Sequence, residues 1–352
     1  MPSYNYIHPS FKLNAKAYTI NTLIVLAQSY KNSNANEEKV MGEFLTDWLN
    51  NKSTINVYTS GSTGVPKVIT LEKQAMINSA VATGAFFDLK AGYKALQCLS
   101  STYIAGKMML VRAMILGLEL DVIPPTSKPL ETTNKYYDFC AMVPLQLEHS
   151  FGQLHQIKVL IVGGTALSPR LYPEILKSSC MIYETYGMTE TITHIAVKHI
   201  KGMALSNFKI LPHIEIRQDD RQCLVINAPH INVKHLVTND IVALQSSSEF
   251  RLLGRFDNVI NTGGIKVFPE QIEFKLNPFI TSRFFIASKP DKVLGQKVIL
   301  ILESAKDNLS LDIFNGLKKF EKPKEIYTIV KFLETSSGKI KREETLNSIF
   351  NN

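Results

Sequence analysis

Between Ala95 and Gly187 the chain alternates short apolar runs with segments of helical periodicity, and no other feature narrows its architecture as far. The runs ALQCLSS, LDVIPP, FCAMVP, KVLIVGG and MIYETYG have the length of buried strands, and Gly, Pro and Ser punctuate them. KMMLVRAMILG and the stretch from Ser168, SPRLYPEILKSS, carry helical spacing. Such alternation buries a mostly parallel sheet between helical layers, which predicts an α/β fold.

The flanks extend this plan. AYTINTLIVLAQSY and EEKVMGEFLTDWL predict two helices at the front, then a short strand at Ile55 to Tyr58 and a helix through KQAMINSAVATGAFF. Beyond Thr193 the runs IEIRQ, CLVINA, DIVALQ and FRLLGR predict a β-rich subdomain packed on the layers. After Arg255, FDNVINTGGIKVFPEQIEFKL, SRFFIASKP, KVILILES and a helix in LDIFNGLKKF predict a compact α+β unit. The expected organisation is multi-domain α/β: a large α/β layered domain with the β-rich subdomain over 1–256, and a small C-terminal α+β lid domain over 257–352. The 352 residues suffice for both cores.

A formal charge of +8 favours anionic partners, but Lys and Arg are spread along the chain, which argues against nucleic acid. Cys98, Cys140, Cys180 and Cys223 show no C-x-x-C spacing and read as reduced, buried thiols of a cytoplasmic protein. The histidines form no H-E-x-x-H pattern, so no zinc site is expected. MPSYNYIHPSFKLN lacks the pattern of a signal peptide, and the longest apolar run, MMLVRAMILGLELDVI, is broken by Arg112. No membrane insertion is expected.

Two stretches carry readable chemistry. In YTSGSTGVPKVI, Gly61 and Gly64 let the backbone turn tightly and aim N–H groups at an anion. Thr59, Ser60, Ser62 and Thr63 add hydroxyls and Lys67 a mobile charge, which suits a polyphosphate; a polar β-turn is the plain alternative. The stretch is no Walker A loop, because Lys67 follows Pro66 and precedes Val68, and it supplies no G-x-G-x-x-G. In IYETYGMTET, Tyr186 can stack on a purine, Gly187 permits close approach, and Thr189 and Glu190 offer oxygens to magnesium. A core strand ending in a turn is the alternative there.

TSGSTGVPK resembles the phosphate-binding signature of the adenylate-forming superfamily of acyl-CoA synthetases, adenylation domains and luciferases, and IYETYGMTET resembles its aromatic-Gly-x-Thr-Glu motif. Four further stretches resemble that superfamily in order. VGGTAL, with Gly163, Gly164 and Thr165, resembles the glycine turn lining the adenine and acyl pockets. VTND places Asp240 at the ribose position, with Asn239 where the family usually has glycine. LGRFDNVINTGGIKV resembles the hinge motif, with Arg255 a ribose contact, Asp257 the hinge, and Gly263 and Gly264 beside the pantetheine arm of coenzyme A. ETSSGKIKR resembles the loop bearing the adenylation lysine, Lys339, with Leu333 where a proline is usual; alone it would read as a basic tail. The resemblance covers nearly the whole chain, with an abbreviated front before Thr59.

The resemblance implies ATP, Mg²⁺ and coenzyme A, with a small-molecule carboxylic acid as partner. The acid would be adenylated with Lys339, Glu190 and Thr189 in catalytic roles, Glu190 on the metal and residues Thr59 to Lys67 on the phosphates, then passed to the thiol after rotation about Asp257. Tyr103, Lys107 and His194 fall where the acyl pocket would lie, and an extra lysine and histidine there suit a second carboxylate. With the short front, this is similar to the o-succinylbenzoate–CoA ligases of menaquinone biosynthesis. Other aryl- or acyl-CoA synthetases, an enzyme loading a carrier protein, and a basic nucleic-acid-binding protein without catalysis are the alternatives.

Overall fold

The computed structural model describes residues 3–4, 6–58, 67–202, 206–306, 309–334 and 340–350. Thr59, Ser60, Gly61, Ser62, Thr63 and Gly64 of the expected phosphate loop, and Lys339, lie outside the described residues.

The chain is α/β, built on a thirteen-stranded sheet among the described residues. From one edge it runs Glu215–Gln218, Cys223–Ala228, Val233–Leu244, Glu249–Arg255, Phe208–Ile210, His194–His199, Met181–Gly187, Ile157–Val162, Tyr137–Met142, Lys94–Gln97, Glu119–Val122, Lys12–Leu13 and Lys16–Ala17. From Met181–Gly187 to Lys12–Leu13 neighbouring strands are parallel; every pairing beyond His194–His199 is antiparallel. The β-rich part is therefore a continuation of the same hydrogen-bonded sheet, with the change of direction between Met181–Gly187 and His194–His199.

The central strands are apolar throughout because both faces are covered. Phe139, Ala141, Val159 and Ile161 enter one core, while Cys140, Met142, Leu160 and Val162 enter the other. The helices Lys73–Phe86 and Ile104–Leu116 lie on the first side, and the second is buried all round from Gly106 to Ile115. A helix this apolar on every side must be interior, and it carries Lys107 and Arg112 into the core with it. All four cysteines are buried and unpaired. No helix among the described residues is long and apolar enough to cross a membrane.

The large sheet's strand Glu249–Arg255 leads into a one-turn 3₁₀ segment, Phe256–Asn258, and a five-stranded sheet begins at Ile260. It has its own cores, around Ile272 and Leu300 and around Phe285 and Phe332. The expected helix in LDIFNGLKKF is only the 3₁₀ turn Leu311–Phe314, since Asn315 and Gly316 give no helical continuation. The helix Pro269–Leu276 bridges the two sheets: Gln271 Nε2 donates to the carbonyls of Leu252 and Leu253 at 3.3 and 3.1 Å, and the Phe274 ring meets Tyr172 edge-on at 6.3 Å.

Candidate active site

Parallel strands leave a crevice beyond their carboxyl ends, and two of the stretches singled out by sequence sit there. The first is the turn after Ile157–Val162. Gly163 N–H donates to the Met142 carbonyl at 3.1 Å, and Gly164 takes φ +92°, a left-handed angle that favours glycine. The neighbouring strand pins the turn from both sides: Glu184 Oε1 accepts from Leu167 N–H at 3.1 Å, and Thr185 Oγ1 donates to the Val162 carbonyl at 3.2 Å. Glu184 is itself held by Lys198 at 2.6 Å, both buried and directly opposite across the strands.

The second stretch is the end of Met181–Gly187. Tyr186 is buried against Phe208 and Phe250, with ring centroids 5.9 and 5.2 Å away, and donates its hydroxyl to Asp240 Oδ2 at 2.5 Å. Burial, then the Asp240 charge, raises the phenol's pKa far above its ordinary value, so it stays a donor. Asp240 pairs in register with Arg255, whose Nη1 lies 3.7 Å from Asp240 Oδ1 and whose Nη2 lies 3.3 Å from Asp257 Oδ2. Adenine, ribose and hinge candidates thus form one polar chain.

Past Gly187 the backbone is strained. A Cβ at Gly187 would run into the Thr193 carbonyl and His194 Cα, so the close approach requires glycine. Thr189–Thr191 forms a 3₁₀ turn with Glu190 exposed, closed by Met188 N–H donating to Thr191 Oγ1 at 3.0 Å. Ile192 then adopts φ +66° and ψ −57°, with Thr193 N–H donating to the Thr191 carbonyl at 2.7 Å. This is a γ-turn at a buried β-branched residue, a conformation that costs about 1–3 kcal/mol. It delivers Thr193 and His194 to the helices behind the sheet.

There the acyl-pocket candidates Lys107 and His194 have different neighbours. His194 is buried, with Nε2 3.4 Å from Thr83 Oγ1 and Nδ1 3.4 Å from Thr193 Oγ1. Its charged neighbour is Arg112, not Lys107. Burial, then the Arg112 charge, drives the imidazole pKa well down, so it is neutral. Arg112 is 1% exposed and donates to Thr193 Oγ1 at 3.3 Å and to Met109 Sδ at 3.7 Å. Its Nε has no partner among the described residues, and burial pushes its pKa down to about 10. Lys107 instead donates to the Thr102 carbonyl at 2.9 Å on the side of Glu43 and Asp47. Tyr103, half exposed, caps the same helix. Arg112 was missed because a lone arginine in an apolar helix reads as an interruption of that helix; only its burial, with no counter-charge among the described residues, marks it.

In the second unit, Ile260–Thr262 and Ile265–Val267 pair with Thr262 opposite Ile265, so Gly263 and Gly264 form a two-residue hairpin turn. Both have positive φ, +58° and +79°, and a Cβ at Gly264 would meet only open space. Further along, Glu334 and Ile340 form an isolated antiparallel bridge. Leu333 N–H donates to the buried Thr345 Oγ1 at 3.2 Å, and Arg342 pairs with Glu273 at 2.8 Å. In the large unit Tyr58 pairs with Val68 in the antiparallel strands Thr54–Tyr58 and Val68–Glu72, and Lys67, exposed, directly precedes the second.

A protein-family model described as AMP-binding enzyme matches residues 17–224. The chain belongs to this family. Among curated relatives, the 2-succinylbenzoate–CoA ligase of Staphylococcus aureus is 23% identical over 365 aligned residues, covering 93% of this chain and 74% of that protein. Among solved structures, an acyl-CoA synthetase (AMP-forming)/AMP-acid ligase II-like protein from Dyadobacter fermentans is 35% identical at a TM-score of 0.62, covering 92% of this chain and 98% of that one. O-succinylbenzoate coenzyme A synthetase from Bacillus subtilis, in complex with ATP and magnesium ion, is 20% identical with a TM-score of 0.73, covering 83% and 69%.

In this AMP-binding enzyme the structure brings Gly163, Gly164, Thr165, Tyr186 and Gly187 to the ends of two adjacent strands, with Asp240 joined to them through the Tyr186 hydroxyl. The family match ends before Asp240, Arg255 and the second unit, so their place rests on geometry.

Proposed function

We propose that the chain is an ATP-dependent acid–thiol ligase that adenylates a carboxylic acid and transfers the acyl group to coenzyme A, and that its acid carries a second carboxylate, o-succinylbenzoate being the favoured member. The observation that carries the substrate reading is Arg112. A guanidinium buried with only neutral partners among the described residues carries a charge that they do not compensate, a costly state that a bound carboxylate relieves. The names of the curated relatives support the same acid.

A free carboxylate repels nucleophiles, so it must first be activated. Its oxygen attacks the α-phosphorus of ATP, the bond to the α–β bridging oxygen breaks, and pyrophosphate leaves. Lys339 neutralises charge gathering between the two anions, and residues Thr59 to Lys67 hold the β- and γ-phosphates. Asp240 accepts the ribose hydroxyls while Tyr186 and Arg255 fix its carboxylate. Thr189 and the exposed Glu190 offer oxygen donors of the kind Mg²⁺ prefers, and the bound ion supplies positive charge at the phosphates. The unit 257–352 then turns about Asp257 and brings Gly263 and Gly264 to the thiol's arm. The thiol sulfur attacks the acyl carbon, its proton is lost to solvent, and AMP leaves with the C–O bond electrons.

The experiment is a panel of acids with ATP and coenzyme A, read by pyrophosphate release and by thioester mass. O-succinylbenzoate should turn over at least about tenfold faster than monoacids of similar shape. Equal use of monoacids would overturn the substrate reading, and no acid-dependent pyrophosphate release would overturn the activity.

A further inference from the structure

We propose that Asn239 and Arg221 form a clasp on the hinge, holding the two units in the arrangement seen and thereby setting the balance between the two half-reactions; this rests on the hinge assigned above to Asp257. Asn239 lies beside Asp240 and faces the hinge with both ends of its amide. Its Nδ2 donates to Asp257 Oδ2 at 3.2 Å, and its Oδ1 accepts from Arg221 Nη1 at 3.2 Å. Arg221 is not free to swing. Its Nε donates to Asp219 Oδ2 at 2.9 Å, its Nη2 donates to the Thr238 carbonyl at 3.3 Å, and its guanidinium lies 5.0 Å over the Phe256 ring. One arginine, anchored in the turn Asp219 to Gln222, therefore grips the residue before the hinge directly and the hinge carboxylate through Asn239. A glycine at 239 has no side chain with which to make that relay. Rotation about residue 257 must break the Asn239 contact to its carboxylate, so the clasp stabilises the arrangement in which that contact is made.

The test uses the full chain and measures the half-reactions separately: acid-dependent ATP–pyrophosphate exchange, and thioester formation from supplied acyl-adenylate. Asn239→Gly and Arg221→Met should each shift the ratio of the two rates by about fivefold, the size expected from losing the single hydrogen bond that holds Asp257, with one half-reaction speeding up as the other slows. The double variant should shift little further than either single one, because both act through one relay. Any result in which neither half-reaction speeds up overturns the clasp, including parallel loss of both rates. Lys339→Ala is measured alongside: if it abolishes exchange but spares thioester formation, the reading of two arrangements stands whatever the clasp variants do. If it abolishes both, that reading itself fails.

Discussion

Tyr186 and Asp240 come from strands that are not neighbours in the sheet, yet the phenol donates to the carboxylate at 2.5 Å and fixes one of its two oxygens. The other oxygen is left between Arg255 and the crevice. Tyr186→Phe keeps the ring packed on Phe250 and frees the carboxylate to rotate. The Michaelis constant for ATP should rise about tenfold with little change in kcat, as measured by pyrophosphate-release kinetics. A fall in kcat alone would show that the hydroxyl serves the chemical step and not nucleotide binding.

Arg112→Met should separate activity from stability. Removing a buried cation that has no counter-charge among the described residues should leave the fold unchanged or more stable, by up to about 4 kcal/mol in denaturant unfolding. Turnover of a dicarboxylate should fall about thirtyfold or more, while that of a monoacid should not.

His194 makes stability depend on pH in a defined direction. The folded chain keeps the imidazole neutral, whereas the unfolded chain protonates it near its ordinary value of 6.5. Below that pH the unfolded state takes up a proton that the folded state refuses, so this contribution is intact above 6.5 and is lost as pH falls. Melting temperature measured from pH 8 to 5 should drop on the acid side, and His194→Gln should reduce that slope by up to about 1.4 kcal/mol per pH unit. His199 and His230, also shifted down mainly by burial, account for part of the remainder.

Leu333 uses the backbone N–H that a proline would lack. Thr345→Val is nearly isosteric and leaves that N–H without its acceptor, which should cost about 1–3 kcal/mol in equilibrium unfolding. Adding Leu333→Pro removes the orphaned donor at a side chain that is 43% exposed, and should recover most of the loss. Additive losses would mean that the hydroxyl is not what holds Leu333.

Period and length made the strands legible: FCAMVP and KVLIVGG could only be buried, and each splits its side chains between two cores as alternation requires. Tyr186, Gly187 and Asp240 were legible as motif residues, because their roles belong to local backbone and short spacing. Lys107 and Arg112 were not, since five residues along a helix turn about 140° and put the two on different faces, and only tertiary packing decides which face meets His194. In the sequence Asn239 stood out only as a departure from the family's usual glycine. That its amide bridges Arg221 and Asp257 depends on two turns far apart in sequence.

The Glu184–Lys198 pair stands at the seam where the sheet changes from parallel to antiparallel, one partner on each side. Opening the seam would strand both charges in an apolar interior, so neither half has an inexpensive way to come loose from the other. In native-state hydrogen exchange the amides of Met181–Gly187 and His194–His199 should therefore share a single opening free energy, and the nucleotide-facing turn and the antiparallel strands belong to one cooperative unit.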